Sequence, residues 1–235
     1  MSKESLFQYT CAIVFAAGLV FGLYQAEALA SGEPGLSALS VATASGTLFL
    51  LGFVLLMGPL SRMFAIFDWA LKFRKELGIM TFFTALTHVY LVMFPLARNG
   101  PWGLYRSRPF SAYPGLEALI VLFVLLVFSW NWSMKLLGTK LWWELQYWGA
   151  RLAFVLIGVH MVVLKYKTIV SWAMPGNLPE AGSHVPPLIV WEAQFLLLVL
   201  VIRLSELFGV KIARIITQIS TVLVLVVLLW TTFAG

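Results

Sequence analysis

The chain has 235 residues, of which 61% are hydrophobic and only 11% charged, and its mean hydropathy is +0.92. A soluble domain carries about 25% charged residues, so this composition excludes an ordinary water-soluble globule, which would lack the polar groups to cover itself. The net charge of +6 is dispersed over short connections, which reads as membrane topology and excludes a basic nucleic-acid-binding domain.

A run of about 20 apolar residues spans the hydrocarbon core of a bilayer. Seven such runs occur in chain order: Phe7 to Ala30, Val41 to Leu60, Leu77 to Ala97, Pro114 to Met134, Leu145 to Lys165, Pro187 to Leu207 and Ile212 to Phe233. Turn-forming clusters separate them, at Ser31-Gly32-Glu33-Pro34-Gly35, Asn99-Gly100-Pro101 and Pro175-Gly176-Asn177-Leu178-Pro179. The first run also resembles a signal peptide, with Lys3 ahead of it and Ala28-Leu29-Ala30 at its end. Its apolar stretch is longer than a usual signal core, so a retained first helix is expected, giving six to seven spans. The expected fold is an all-α integral membrane bundle, a single transmembrane domain over residues 1–235. No internal repeat, low-complexity tract or glycine-rich phosphate loop is visible. Cys11, the single cysteine, lies in the first run, so the chain makes no internal disulfide.

Lysine and arginine set the orientation. With the N-terminus in the cytoplasm, the inner side holds Lys3, Arg62, Lys72, Arg74, Lys75, Lys135, Lys140, Arg203, Lys211 and Arg214. The outer side then holds Arg98, Arg106, Arg108, Lys165 and Lys167. Ten against five favours that orientation, in a bacterial inner membrane. Tryptophans gather at both rims: Trp130, Trp132, Trp142, Trp143 and Trp148 inside, Trp102 and Trp172 outside. This is the aromatic belt of a membrane protein.

Three histidines occur: His88, His160 and His184. His88 lies ten residues past Gly78, roughly 15 Å along a helix. His160 lies fourteen past Gln146, roughly 21 Å along a helix running the same way. Both fall in the outer half of the bilayer. Two histidines at matched depth can clamp a metal porphyrin from its two faces, since imidazole is a common axial ligand of haem iron. They can equally bond neighbouring helices. On depth alone the two readings are about even.

The flanking sequence is more specific. "RKELGIMTFFTALTHVY", Arg74 to Tyr90, resembles the third helix of the ferric-reductase-like transmembrane family, above all its MsrQ branch of haem-binding membrane subunits that feed electrons to a periplasmic methionine sulfoxide reductase. The basic pair Arg74 and Lys75, then Leu77-Gly78, then an aromatic run, place His88 at the ligand position. "LLMGPLSR", Leu55 to Arg62, resembles the end of the second helix, and "SRPF", Ser107 to Phe110, the start of the fourth. "GTKLWWELQYWGARLAFVLIGVH", Gly138 to His160, resembles the fifth and ends on the second ligand. "PPLIV", Pro186 to Val190, is similar to the sixth. The resemblance implies a family-like core over about residues 45–207, with an additional C-terminal helix over 212–233. It also implies one haem b held by His88 and His160, and single-electron transfer to or from a partner redox subunit, a periplasmic oxidoreductase or the quinone pool. A quinone is a second candidate cofactor.

The departures bear on that expectation. Gln146 and Tyr147 stand where the family's fifth helix usually has another histidine near its cytoplasmic end, and the third helix has no second histidine. One outer haem is therefore implied, not a two-haem wire. The 165–186 connection is longer than in the MsrQ branch, and the family's flavin and nicotinamide modules have no counterpart in this sequence. These departures also suit an alternative, a structural membrane subunit of a larger complex on a scaffold that has lost or reduced its redox role.

Four further positions stand out. Arg151, in the fifth span, either neutralises a haem propionate or reaches back to the interface. Glu192, in the sixth, is either a proton relay or a bond to a neighbouring helix. His184 is a third ligand, a quinone-site base or a solvated loop residue. Arg106 and Arg108 either meet haem propionates or an acidic partner, or are solvated. A small transporter using Glu27, Arg151 and Glu192 as pathway residues ranks last, because the paired broken half-helices of many transporters are missing.

Overall fold

A computed structural model describes residues 3–97, 102–173 and 187–233. Arg98, Asn99-Gly100-Pro101, the Pro175 to Pro179 cluster and His184 lie outside the described residues. Every described element is helical. In order these are α1 (Lys3–Ser31), α2 (Leu36–Met63), a 3-10 segment (Ala65–Phe73), α3 (Arg74–Met93) and α4 (Gly103–Ser107). There follow α5 (Pro109–Val127), α6 (Asn131–Leu137), α7 (Thr139–Ala173), α8 (Leu188–Ser205), a 3-10 turn (Glu206–Phe208) and α9 (Val210–Phe233). Seven helices are long and apolar enough to cross a membrane. The protein is a multi-pass, all-α membrane bundle.

In a bilayer each backbone N–H and C=O must be satisfied within its own segment, so uninterrupted apolar runs become helices. Their ends follow local chemistry. Pro109 opens α5 in the first helical turn, where a missing N–H is harmless. Gly138, at φ 75°, turns α6 into α7, and Gly209, at φ 86°, turns the end of α8 into α9; only glycine adopts such angles freely. The fourth span runs from Pro109 to Val127, not Pro114 to Met134. Phe128 leaves the helix at ψ 9°, and residues 131–137 form the separate helix α6.

The centre of the bundle is α2, which packs against α1, α3, α7, α8 and α9. Its Leu48, Leu51 and Leu55 meet Phe82 of α3, Phe154 of α7 and Ile202 of α8 in the main core. The outer surface is apolar: Phe110 is 86% exposed and Leu29 74%. Such a surface suits lipid rather than water. At one end Arg62 and Arg203 both pair with Glu206, tying α2 to the end of α8.

Gly52 sets the α2–α8 approach. A Cβ there would lie 2.2 Å from Cε1 and 2.7 Å from Cζ of Phe195. The Phe195 ring is held between Phe49, at 4.7 Å, and Phe53, at 5.4 Å between centroids, so it has little room to retreat. Gly52→Ala should destabilise the bundle by about 1–3 kcal/mol through overpacking. Thermal unfolding in detergent would show it, with Gly58→Ala, where a Cβ meets nothing within 4 Å, as the clash-free control, which should not lower the unfolding temperature.

Candidate functional site

His88 of α3 and His160 of α7 line the same cleft. Their helices share no extensive contact with each other. Helix α3 packs on α2 and α5, and α7 packs on α5 and, less closely, α2. The two histidines therefore face one another across the bundle, with α2 and α5 as the side walls. Both rings reach this one cleft, as two histidines at similar depth on two helices of one bundle can.

Each ring is anchored in the same manner. His88 Nδ1 lies 2.9 Å from the carbonyl oxygen of Ser40 on α2, with the Ser40 hydroxyl 3.2 Å away. His160 Nδ1 lies 2.6 Å from the carbonyl oxygen of Ser111 in the first turn of α5. A carbonyl oxygen only accepts, so Nδ1 carries the hydrogen in both rings. That leaves the Nε2 lone pair of each ring free to accept a hydrogen bond or to bind a metal, the tautomer that a backbone carbonyl imposes on metal-binding histidine. The chain does this twice with similar spacing, serine to histidine over 48 and 49 residues. No repeat in the amino-acid sequence announces that pairing.

The remaining wall is small and apolar. Ala44, Ala85, Ala112 and Gly115 line the cleft, with Leu119 and Ile157 behind them. Gly115 makes room for His160: a Cβ at this position would lie 2.8 Å from Nδ1 and 3.1 Å from Cε1 of the ring. Tyr105 reaches the cleft from α4. Burial raises its phenol pKa above the ordinary value, so its O–H remains a donor at neutral pH.

The donor set suits a planar metal macrocycle. Among the described residues no group of three or more His, Cys, Asp and Glu could hold a bare metal ion, and two imidazoles supply only two ligands. The space is tighter than the chemistry. The cavity measures 80 Å³, below the roughly 300 Å³ of a small-molecule site. A macrocycle between the rings requires some of the lining side chains to move aside.

Arg151 is not part of this cleft. It stands nine residues before His160, about 13.5 Å away along α7. Its guanidinium donates to the Tyr147 carbonyl oxygen at 2.7 Å and lies 3.2 Å from the centroid of the Tyr147 ring. With that cation–π stack the side chain takes the reach-back alternative, toward Tyr147 and away from His160. Gln146 also has a defined task. Its Nε2 donates to the carbonyl oxygens of Leu125, at 3.3 Å, and Phe128, at 3.1 Å. Trp142 Nε1 donates to the same Phe128 oxygen at 2.6 Å. These side chains satisfy carbonyls that the end of α5 leaves open.

Glu192 is buried and accepts a hydrogen bond from the Ser45 hydroxyl. This contact is the helix-bonding alternative for Glu192, between α8 and α2. Ser45→Ala would strand a carboxyl group inside the bundle. A loss of about 1 kcal/mol in stability is expected, measurable as a lowered unfolding temperature that Glu192→Leu restores when added to Ser45→Ala.

No family model matches the chain, and neither does any curated protein. Fold and site together define a multi-pass α-helical membrane protein with a paired-histidine cleft.

Proposed function

We propose that the chain is a b-type haem membrane subunit of the ferric-reductase-like kind. It would lie in a bacterial inner membrane with its N-terminus in the cytoplasm. In that setting it passes single electrons between the quinone pool or a partner redox subunit and an acceptor at the outer face. The observation that carries this reading is the pair of imidazoles lining one cleft, each with Nδ1 tied to a backbone carbonyl.

A bound haem supplies a one-electron couple whose potential follows its axial ligands, burial and nearby charge. His88 and His160 would hold the iron through Nε2. The Ser40 and Ser111 carbonyls would fix the ring planes and leave each Nε2 lone pair free. Ala44, Ala85 and Ala112 keep water from the cleft. Arg106 in α4 and Arg108 just after it, both exposed, offer positive charge to propionates or to an acidic partner at the same end.

A structural-subunit reading is favoured by the 80 Å³ cavity. The two readings separate in membrane vesicles. After a short-chain quinol is added, the reduced-minus-oxidised spectrum should develop b-type bands, which fade when an acceptor is supplied at the outer face. Bands that ignore both additions would refute electron transfer with the quinone pool.

A further inference from the structure

A second cavity lies at the other end of α3 and α7, separated from the histidine cleft by Leu122, which lines both. It measures 530 Å³, within the roughly 300–1,000 Å³ range of ligand sites. Its inner wall is apolar, from Leu51, Val54, Leu125 and Leu126. Its rim carries three cations, Lys72, Arg74 and Lys75. None of the three is in a salt bridge among the described residues. Beside them Glu76 lines the same cavity, is only 5% exposed, and has its Oε2 without a hydrogen-bond partner.

Three cations with no ion pair, a buried carboxylate oxygen lacking a donor and an apolar recess call for a molecule with three matching parts. The cations ask for a phosphate, Glu76 for a hydroxyl hydrogen, and the recess for a hydrocarbon chain. We propose that this cavity is a binding site for an anionic phospholipid with a hydroxylated head group, of the phosphatidylglycerol type. Basic pockets between transmembrane helices recognise anionic head groups in this manner. Lys72, Arg74 and Lys75 hold the phosphate, Glu76 accepts from a head-group hydroxyl, and one acyl chain lies along Leu51 and Val54. The site shares no polar residue with the histidine cleft, so it stands whether or not haem is bound.

The test is lipid retention by the full-length protein in mixed micelles, counted by native mass spectrometry, with haem content read on the same sample. The wild type should retain phosphatidylglycerol over phosphatidylcholine, and Arg74→Gln with Lys75→Gln should weaken phosphatidylglycerol binding about thirtyfold, as expected for losing two cations. Glu76→Leu should leave that charge preference but remove the preference for phosphatidylglycerol over phosphatidic acid, which has no head-group hydroxyl. Equal retention of the two glycerol and choline lipids by the wild type would overturn the proposal, even if the double variant fails to fold. So would displacement by glycerol 3-phosphate, which would mark a site for a soluble phosphate ester.

Discussion

Replacing His88 or His160 with alanine should lower the haem-to-protein ratio by more than about tenfold, since changes one shell further out already lower metal affinity by about 10–100-fold. The two substitutions should be equivalent, because both rings are held in the same way, through Nδ1 on a backbone carbonyl. Neither should unfold the bundle. The histidines face a cleft, and the main core is built around Leu48, Leu51 and Phe154. Haem content is read by pyridine haemochrome assay and folding by size-exclusion profile and unfolding temperature. Full haem occupancy in His88→Ala would refute the ligand assignment.

Gly115→Ala should produce the same loss by a different route. The added methyl would sit 2.8 Å from Nδ1 of His160, so the ring must swing and its bond to the Ser111 carbonyl must break. An occupancy loss of about 10–100-fold is expected, the scale of an outer-shell change. Helix stability moves the other way, because alanine is a better helix former than glycine by about 1 kcal/mol. A protein that is as stable as the wild type and yet poor in haem is the signature of a displaced ligand. Gly78→Ala, where a Cβ meets nothing within 4 Å, should leave haem content unchanged.

Much of the fold was legible in the amino-acid sequence. Hydropathy found all seven spans because lipid imposes one length and one polarity on them. The fourth was placed about five residues late at its start. Pro114 looked like a helix boundary, whereas Pro109 begins the helix, and Phe128, Ser129 and Trp130 form a turn that hydropathy does not register. The depth of His88 and His160 followed from residue counting alone. Their anchors did not, because the carbonyls of Ser40 and Ser111 belong to the backbone and leave no side-chain signal. Nor did Gly115, nearly two turns into α5, announce its close approach to His160, since Gly78, one turn into α3, meets nothing within 4 Å. Both alternatives for Arg151 stayed open in the sequence, because spacing gives height along a helix but not which way a flexible guanidinium turns. The buried state of Glu76 was hidden within a segment that otherwise reads as charged.

The central claim is that one haem sits between His88 and His160. It is tested most directly by optical spectra of the detergent-purified wild-type protein from haem-replete cells, oxidised and then dithionite-reduced, with a haemochrome assay for stoichiometry. The account predicts a b-type spectrum at about one haem per chain, as a single histidine pair requires. A colourless protein would contradict it and leave the paired imidazoles as interhelical bonds in a structural subunit.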